Sequence, residues 1–151
     1  MTIFTAWNEL KKLSLADRDE LLPGFNEKQV LLTSNQLIEA VKILLANNIF
    51  HLSTITGVYQ ENSLQLLYHF WKGEGITLRV EIDEQDNQVD SLTEWIPGAL
   101  FYEREITEMF GVKINGLNMS NKMFLPDNWE GDAPMRRAIR VGNDEQQQEH
   151  K

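Results

Sequence analysis

The sequence predicts an α+β fold, with helices packed on a small, mainly antiparallel sheet and an extended C-terminal arm. Three observations lead there. From His51 three runs of β character, "HLSTITGVYQ", "SLQLLYHFWK" and "ITLRVEIDE", follow one another with only the turn-like "ENS" and "GEG" between them, the pattern of an antiparallel meander. Other stretches place apolar residues at helical spacing. After Gly111, "INGLNMSNKMFLPDNWEGDAPMRRAIR" has no sustained period, yet it is rich in methionine and aromatic residues. So long and apolar a loop is unusual inside a compact domain.

The elements follow in order. Phe4, Trp7, Leu10 and Leu13 give the stretch from Ile3 to Leu13 one apolar face, which suits a short amphipathic helix. "LPGF" around Pro23 is a break, and "KQVLLTS" then reads as a strand. Ser34 or Asn35 can cap the next helix, whose apolar face is Leu37, Val41, Leu44 and Leu45, and "ANN" stops it. In the third meander strand, Ile76, Leu78, Val80 and Ile82 alternate with Thr77, Arg79 and Glu81, as in a half-buried strand. "SLTEW" opens a second helical region, broken at Pro97-Gly98, and Ala99 to Phe110 forms the main helix. These elements imply a compact domain over 1–112, an arm over 113–142 and a polar tail over 143–151, with no internal repeat and no second domain.

Composition excludes several classes of function. The 151 residues fit one domain able to bury a proper core. The formal charge of −9 argues against nucleic acid, which needs a basic footprint, and against anionic lipid surfaces. There is no cysteine, which removes disulfides, thiolate nucleophiles and cysteine-ligated clusters held by this chain alone. Windows such as "AVKILLANNIF" fall far short of the ~20 apolar residues that span a bilayer. In "MTIFTAWNELKK" the lysines follow the apolar residues, so no signal peptide is expected and the expected compartment is the cytoplasm.

The stretch with most chemistry is "FYEREITEMFGVKING", where four of the six residues from Glu103 to Glu108 are charged. A catalytic carboxylate set is one reading, but on a helix only Glu105 and Glu108 share a face, and catalytic pairs usually come from different elements. Arg104 and Glu108, four apart, make a helical ion pair instead. A plain solvated face is the second reading. Against it, Ala99, Tyr102, Ile106, Met109 and Phe110 fill one apolar stripe, and Glu103 borders that stripe. His51 and His69 lie in strands without carboxylates at metal-ligand spacing, and His150 lies in the tail. "KGEG" and "EGD" are not phosphate loops, and Ser53, Ser63 and Ser91 stand in no nucleophile-elbow context. In "PMRRAIR", Arg136, Arg137 and Arg140 suit bidentate pairing with carboxylates, within the domain or across an interface. The apolar stretch before them either wraps its own domain or lies on a partner.

Two motifs together resemble a known family. "EREITEMFG" at 103–111 resembles the signature of the thirty-kilodalton subunit of respiratory complex I, the NADH:quinone oxidoreductase. "FLPDNWEGDAPMRR" at 124–137 looks like the leucine-proline-acid-acid-tryptophan segment and arginine-bearing end of the same family, and "WIPGALFYERE" resembles its approach to the signature. The likeness is strong from Ser91 to Arg137 and weaker, though consistent in element order, before it. It departs from the family at Gly116, Leu117 and Asn118, where glycine-histidine-proline is usual, at Asn121 and Lys122, and at Arg137 and Ala138. These departures look more like the counterpart in membrane-bound, energy-converting nickel–iron hydrogenases of the Ech type.

The resemblance implies a non-catalytic subunit of a peripheral arm on the inner face of the membrane, without direct membrane insertion. Its partners would be a large catalytic subunit and a small iron–sulfur subunit, which hold the nickel–iron centre and the clusters, while this chain holds no cofactor or metal. Glu103, Arg104, Glu105 and Glu108 would form a structural charge network. Met119, Met123, Phe124, Leu125, Pro126, Trp129, Pro134, Met135, Arg136 and Arg137 would form the partner interface. The alternative within the family is the equivalent subunit of an NADH:quinone oxidoreductase. Outside it stand an autonomous enzyme using Glu103 and Glu105, and a free-standing binding module.

Overall fold

The computed structural model describes residues 3–15, 28–60 and 63–136. Within them run α1 (Ile3–Leu13), β1 (Lys28–Thr33), α2 (Leu37–Ala46), β2 (His51–Gln60), β3 (Ser63–Trp71), β4 (Gly75–Ile82), β5 (Gln88–Asp90), α3 (Ala99–Phe110) and β6 (Lys113–Asn115). β2, β3 and β4 form the antiparallel meander, and β1 joins it parallel to β4, giving the order β1-β4-β3-β2. The fold is α+β, with its helices on one face of a mostly antiparallel sheet.

Alternation within the strands sets the core. Val30 and Leu32, Leu64, Leu66, Tyr68 and Phe70, and Ile76, Leu78, Val80 and Ile82 all point to one face and are buried. α2 lays Leu37, Ala40, Val41 and Leu44 on that face. α1 buries Ile3, Ala6 and Leu10; of the expected face, Leu10 is buried and Trp7 and Leu13 pack partly buried against the core, while Phe4 turns away, 67% exposed. A 3.6-residue period allows either stripe through Leu10, and packing against α2 selects the one with the small Ala6.

The start of α2 also differs from expectation. Thr33, rather than Ser34 or Asn35, occupies the cap position before a short 3₁₀ turn, Ser34–Gln36. Gln36 Oε1 accepts from the Thr33 amide at 3.0 Å and the Thr33 hydroxyl at 3.2 Å. Its amide nitrogen donates to the Leu13 carbonyl at 2.9 Å, so one side chain ties the end of α1 to the start of α2. At the far end Asn47 and Asn48 stop the helix, Asn48 with a positive φ of 58°.

On the other sheet face Thr77 and Arg79 are buried too, where plain alternation predicts exposure. Gln65 Oε1 accepts from Arg79 Nη2 at 2.5 Å and from Nε at 3.2 Å, and Gln29 Oε1 accepts from Nη1 at 3.3 Å. Cross-strand neighbours thus shield the guanidinium.

Two further departures surround α3. "SLTEW" makes only one turn, with the Trp95 and Ile96 amides both donating to the Leu92 carbonyl. Pro97 has no N–H with which to extend it. β5 and β6, three residues each and too short to signal in sequence, pair in parallel as a second small sheet. Residues 113–115, at the start of the stretch read as the arm, are therefore a strand.

Candidate functional site

α3 spans Ala99–Phe110, between the turn at Pro97-Gly98 and Gly111. Gly111 takes a left-handed conformation, φ 69°, and its amide donates to Thr107, ending the helix. α3 packs across β2, where Gly57 leaves room for the Phe110 ring: a Cβ there would sit 2.5 Å from it. Ala99, Ile106 and Phe110 form the buried stripe.

Glu103 lies in the middle of that stripe, not at its border, and its solvent exposure is 0%. One carboxylate oxygen accepts from the Leu92 amide at 2.5 Å and the other from the Ser91 hydroxyl at 2.6 Å. Burial raises its pKa, against the opposing effect of these two donors. Burial also raises the pKa of the Tyr68 hydroxyl, with the Glu103 charge adding to it. Glu103 thus binds the irregular backbone entering α3.

Glu108 faces the other way along the chain. Its Oε1 accepts from the Met123 amide at 2.7 Å, and its Oε2 accepts from the Phe124 and Leu125 amides at 2.8 Å each. Burial pushes its pKa up, but those three donors and the charge of Arg104 outweigh it and hold the carboxyl below its ordinary value. Arg104 donates to the Asn121 carbonyl rather than forking onto Glu108, so the expected helical ion pair is a through-space influence. Arg104 Nε and Thr107 Oγ1 are buried and without a partner among the described residues. Glu105 is exposed. The run from 103 to 108 is brought together only by the helix, and its members reach different segments.

The segment beyond β6 is tied to α3 by one further main-chain bond and braced by two bonds within itself. The Met135 amide donates to the Met109 carbonyl at 2.8 Å, Lys122 Nζ to the Trp129 carbonyl at 2.6 Å, and Trp129 Nε1 to the Asp132 carbonyl at 3.1 Å. A side chain at Gly111 would approach Arg136 Nη1 at 3.2 Å and Ala133 at 3.3 Å. The side chains point outward: Met119, Met123, Phe124, Trp129 and Met135 are each exposed, Met135 by 54%. Pro126, Pro134 and Arg136 are exposed as well, and Leu125 is half-buried. Arg137 and Arg140 lie outside the described residues. Phe101, 57% exposed on the helix face that carries Arg104, Glu105 and Glu108, adds to this outer surface. Its phase relative to Glu108, seven positions away, was the signal for it in the sequence.

No group of three or more histidine, aspartate or glutamate residues that could hold a metal occurs among the described residues. His69 Nδ1 lies 2.9 Å from the Thr77 hydroxyl, and His51 is exposed on β2. No helix among the described residues is long and apolar enough to cross a membrane.

Residues 30–145, more than half of the chain, match the family model of the respiratory-chain NADH dehydrogenase 30 kDa subunit. The C-type NADH-quinone oxidoreductase subunit of Roseiflexus castenholzii is 35% identical over 89 residues, covering 57% of this chain and 51% of that protein. The fused C/D-type subunit of Salmonella typhimurium is 38% identical over 66 residues, covering 44% of this chain and 11% of that one. The chain thus spans about half the length of the first of these relatives. In fold it is similar to a chain of the membrane-bound sulfane sulfur reductase, an archaeal respiratory membrane complex (TM-score 0.68, 22% identity, 77% of this chain and 73% of that one). A trypsin-resistant fragment of Nqo5 is also similar (TM-score 0.64, 21% identity, 78% of this chain and 98% of that one). The chain belongs to the family of the 30 kDa subunit of respiratory-chain NADH dehydrogenase.

Proposed function

We propose that this chain is a non-catalytic docking subunit in the peripheral arm of a membrane-bound, energy-converting nickel–iron hydrogenase, on the inner face of the membrane. The observation that carries the docking role is the segment from 117 to 136, whose backbone is bound to α3 while its large apolar side chains stand in solvent. Exposed apolar groups on a fixed backbone are an aggregation liability in a free protein and an asset at an interface. The occupant of that surface would be the large subunit of the same complex, with the iron–sulfur subunit beside it. The nickel–iron centre and the clusters would reside in those partners. The hydrogenase reading draws on the departures from the family pattern at Gly116, Leu117 and Asn118, and at Asn121 and Lys122.

A second reading is the equivalent subunit of an NADH:quinone oxidoreductase, the kind of complex for which the relatives in sequence are named. Purification of the tagged chain with its complex from native membranes separates the two. Hydrogen evolution or uptake by that complex supports the first, and NADH oxidation with quinone reduction supports the second. A chain recovered alone from those membranes would overturn both.

A further inference from the structure

We propose that Glu108 is the positioning residue of the docking surface, holding Met123 and Phe124 outward as anchors shaped before the partner arrives. This rests on the docking reading above and adds a cause for its geometry. Three consecutive amides converge on one carboxylate at 2.7–2.8 Å, using both oxygens. Consecutive N–H groups aimed at one point form a concave anion site, of the kind that elsewhere takes a phosphate. Here the anion is supplied by the helix of the same chain.

The consequence for the side chains is direct. With the amides of residues 123 to 125 turned inward to Glu108, the Met123 and Phe124 side chains are left 41% and 44% exposed, next to the half-buried Leu125. The neighbouring contacts, Arg104 to the Asn121 carbonyl and the Met135 amide to the Met109 carbonyl, hold the segment on either side. A partner offering an apolar protein surface would then meet a single presented shape. Without the latch only a fraction of molecules would present it, and apparent affinity falls by that fraction.

The test compares the full-length tagged chain with Glu108→Gln and Phe124→Ala, expressed with the rest of its complex. Glutamine offers an NH₂ group to at least one of the three main-chain donors, so it cannot accept all three. In Glu108→Gln, amide exchange at 123–125 should quicken by roughly tenfold or more while β2, β3 and β4 keep their protection. Recovery of the assembled complex on native gels should fall by a similar factor. Phe124→Ala should keep the protection of 123–125 and still lose assembly. Unchanged exchange at 123–125 in Glu108→Gln would show that there is no latch. Faster exchange with undiminished assembly would show a latch irrelevant to docking, and loss of protection across the whole sheet would make Glu108 a general folding residue; each overturns the proposal. If the wild-type chain assembles with nothing, or Phe124→Ala assembles fully, the docking reading itself fails.

Discussion

Replacing Glu103 separates two costs that the structure puts on one residue. The carboxylate is fully buried and satisfies the Leu92 amide and the Ser91 hydroxyl. Glu103→Ala leaves both donors facing a void. Each unsatisfied buried donor costs ~1–3 kcal/mol, and the cavity adds to that, so a loss of about 3–5 kcal/mol is expected. Glu103→Gln should be far milder, because the network can rearrange. Its oxygen can still accept from Leu92 while its NH₂ donates to Ser91 Oγ. That hydroxyl then turns its proton to Thr93 Oγ1, already 2.7 Å away. The pH dependence distinguishes them further. Burial raises the Glu103 pKa above its ordinary 4.5, so its favourable contribution is complete below that value and is lost as pH rises through the folded pKa. Glutamine does not titrate. The stability of Glu103→Gln relative to wild type should therefore increase as pH rises from the ordinary carboxylate value of 4.5 through the raised folded one. Urea midpoints followed by circular dichroism across that range measure it. A difference that stays flat with pH, or a Glu103→Ala variant within ~0.5 kcal/mol of wild type, would refute the account of Glu103 as a buried anchor.

Three more outcomes are expected. Gly57→Ala would bring a Cβ to 2.5 Å from the Phe110 ring and should cost ~1–3 kcal/mol; adding Phe110→Leu should recover part of it in a double-mutant cycle of denaturant midpoints. Arg104→Ala removes a bond to the Asn121 carbonyl rather than one side of a buried ion pair, so calorimetry should show a loss of ~1–2 kcal/mol, with Arg104→Lys recovering part and Lys12→Ala near zero. Glu108 has its pKa held down, so its contribution is present above 4.5 and is lost as pH falls through the lower folded value; amides 123–125 should stay protected at neutral pH and lose protection only in acid.

Much of the fold was legible because its signals are local. The bounds of α1 and α3 and the three meander strands follow from periodicity and turn residues within a dozen positions. What was not legible depends on distant partners. Alternation placed Arg79 on an open face, and only the pairing of β4 with β3 and the neighbouring β1 brings Gln65 and Gln29 around it. Spacing paired Arg104 with Glu108, since the helix is all that a local rule can see. The acceptors and donors that engage them lie 15 to 17 positions on, in a stretch without a period. The candidate surface was legible in composition, as an apolar loop, but composition does not say which way its side chains face.

The density of charge on α3 has a reason in the backbone around it. Regular strands and helices satisfy their own N–H groups, whereas irregular segments must find acceptors elsewhere or leave them to water. Two irregular segments flank this helix, one around 91–92 and one around 121–125. Neither is part of a sheet ladder, and the amides of Leu92, Met123, Phe124 and Leu125 all end on carboxylates of α3. A rigid helix is well suited to supply those acceptors, because its side chains project at fixed angles and an anionic acceptor bonds more strongly than a neutral one. Glu103 serves the segment before the helix, while Arg104 and Glu108 serve the segment after it. An apolar helix of the same length would bury its stripe as well and leave both segments unfixed. Three of the four charges, Glu103, Arg104 and Glu108, thus fix irregular backbone on either side of the helix, while Glu105 stays in solvent.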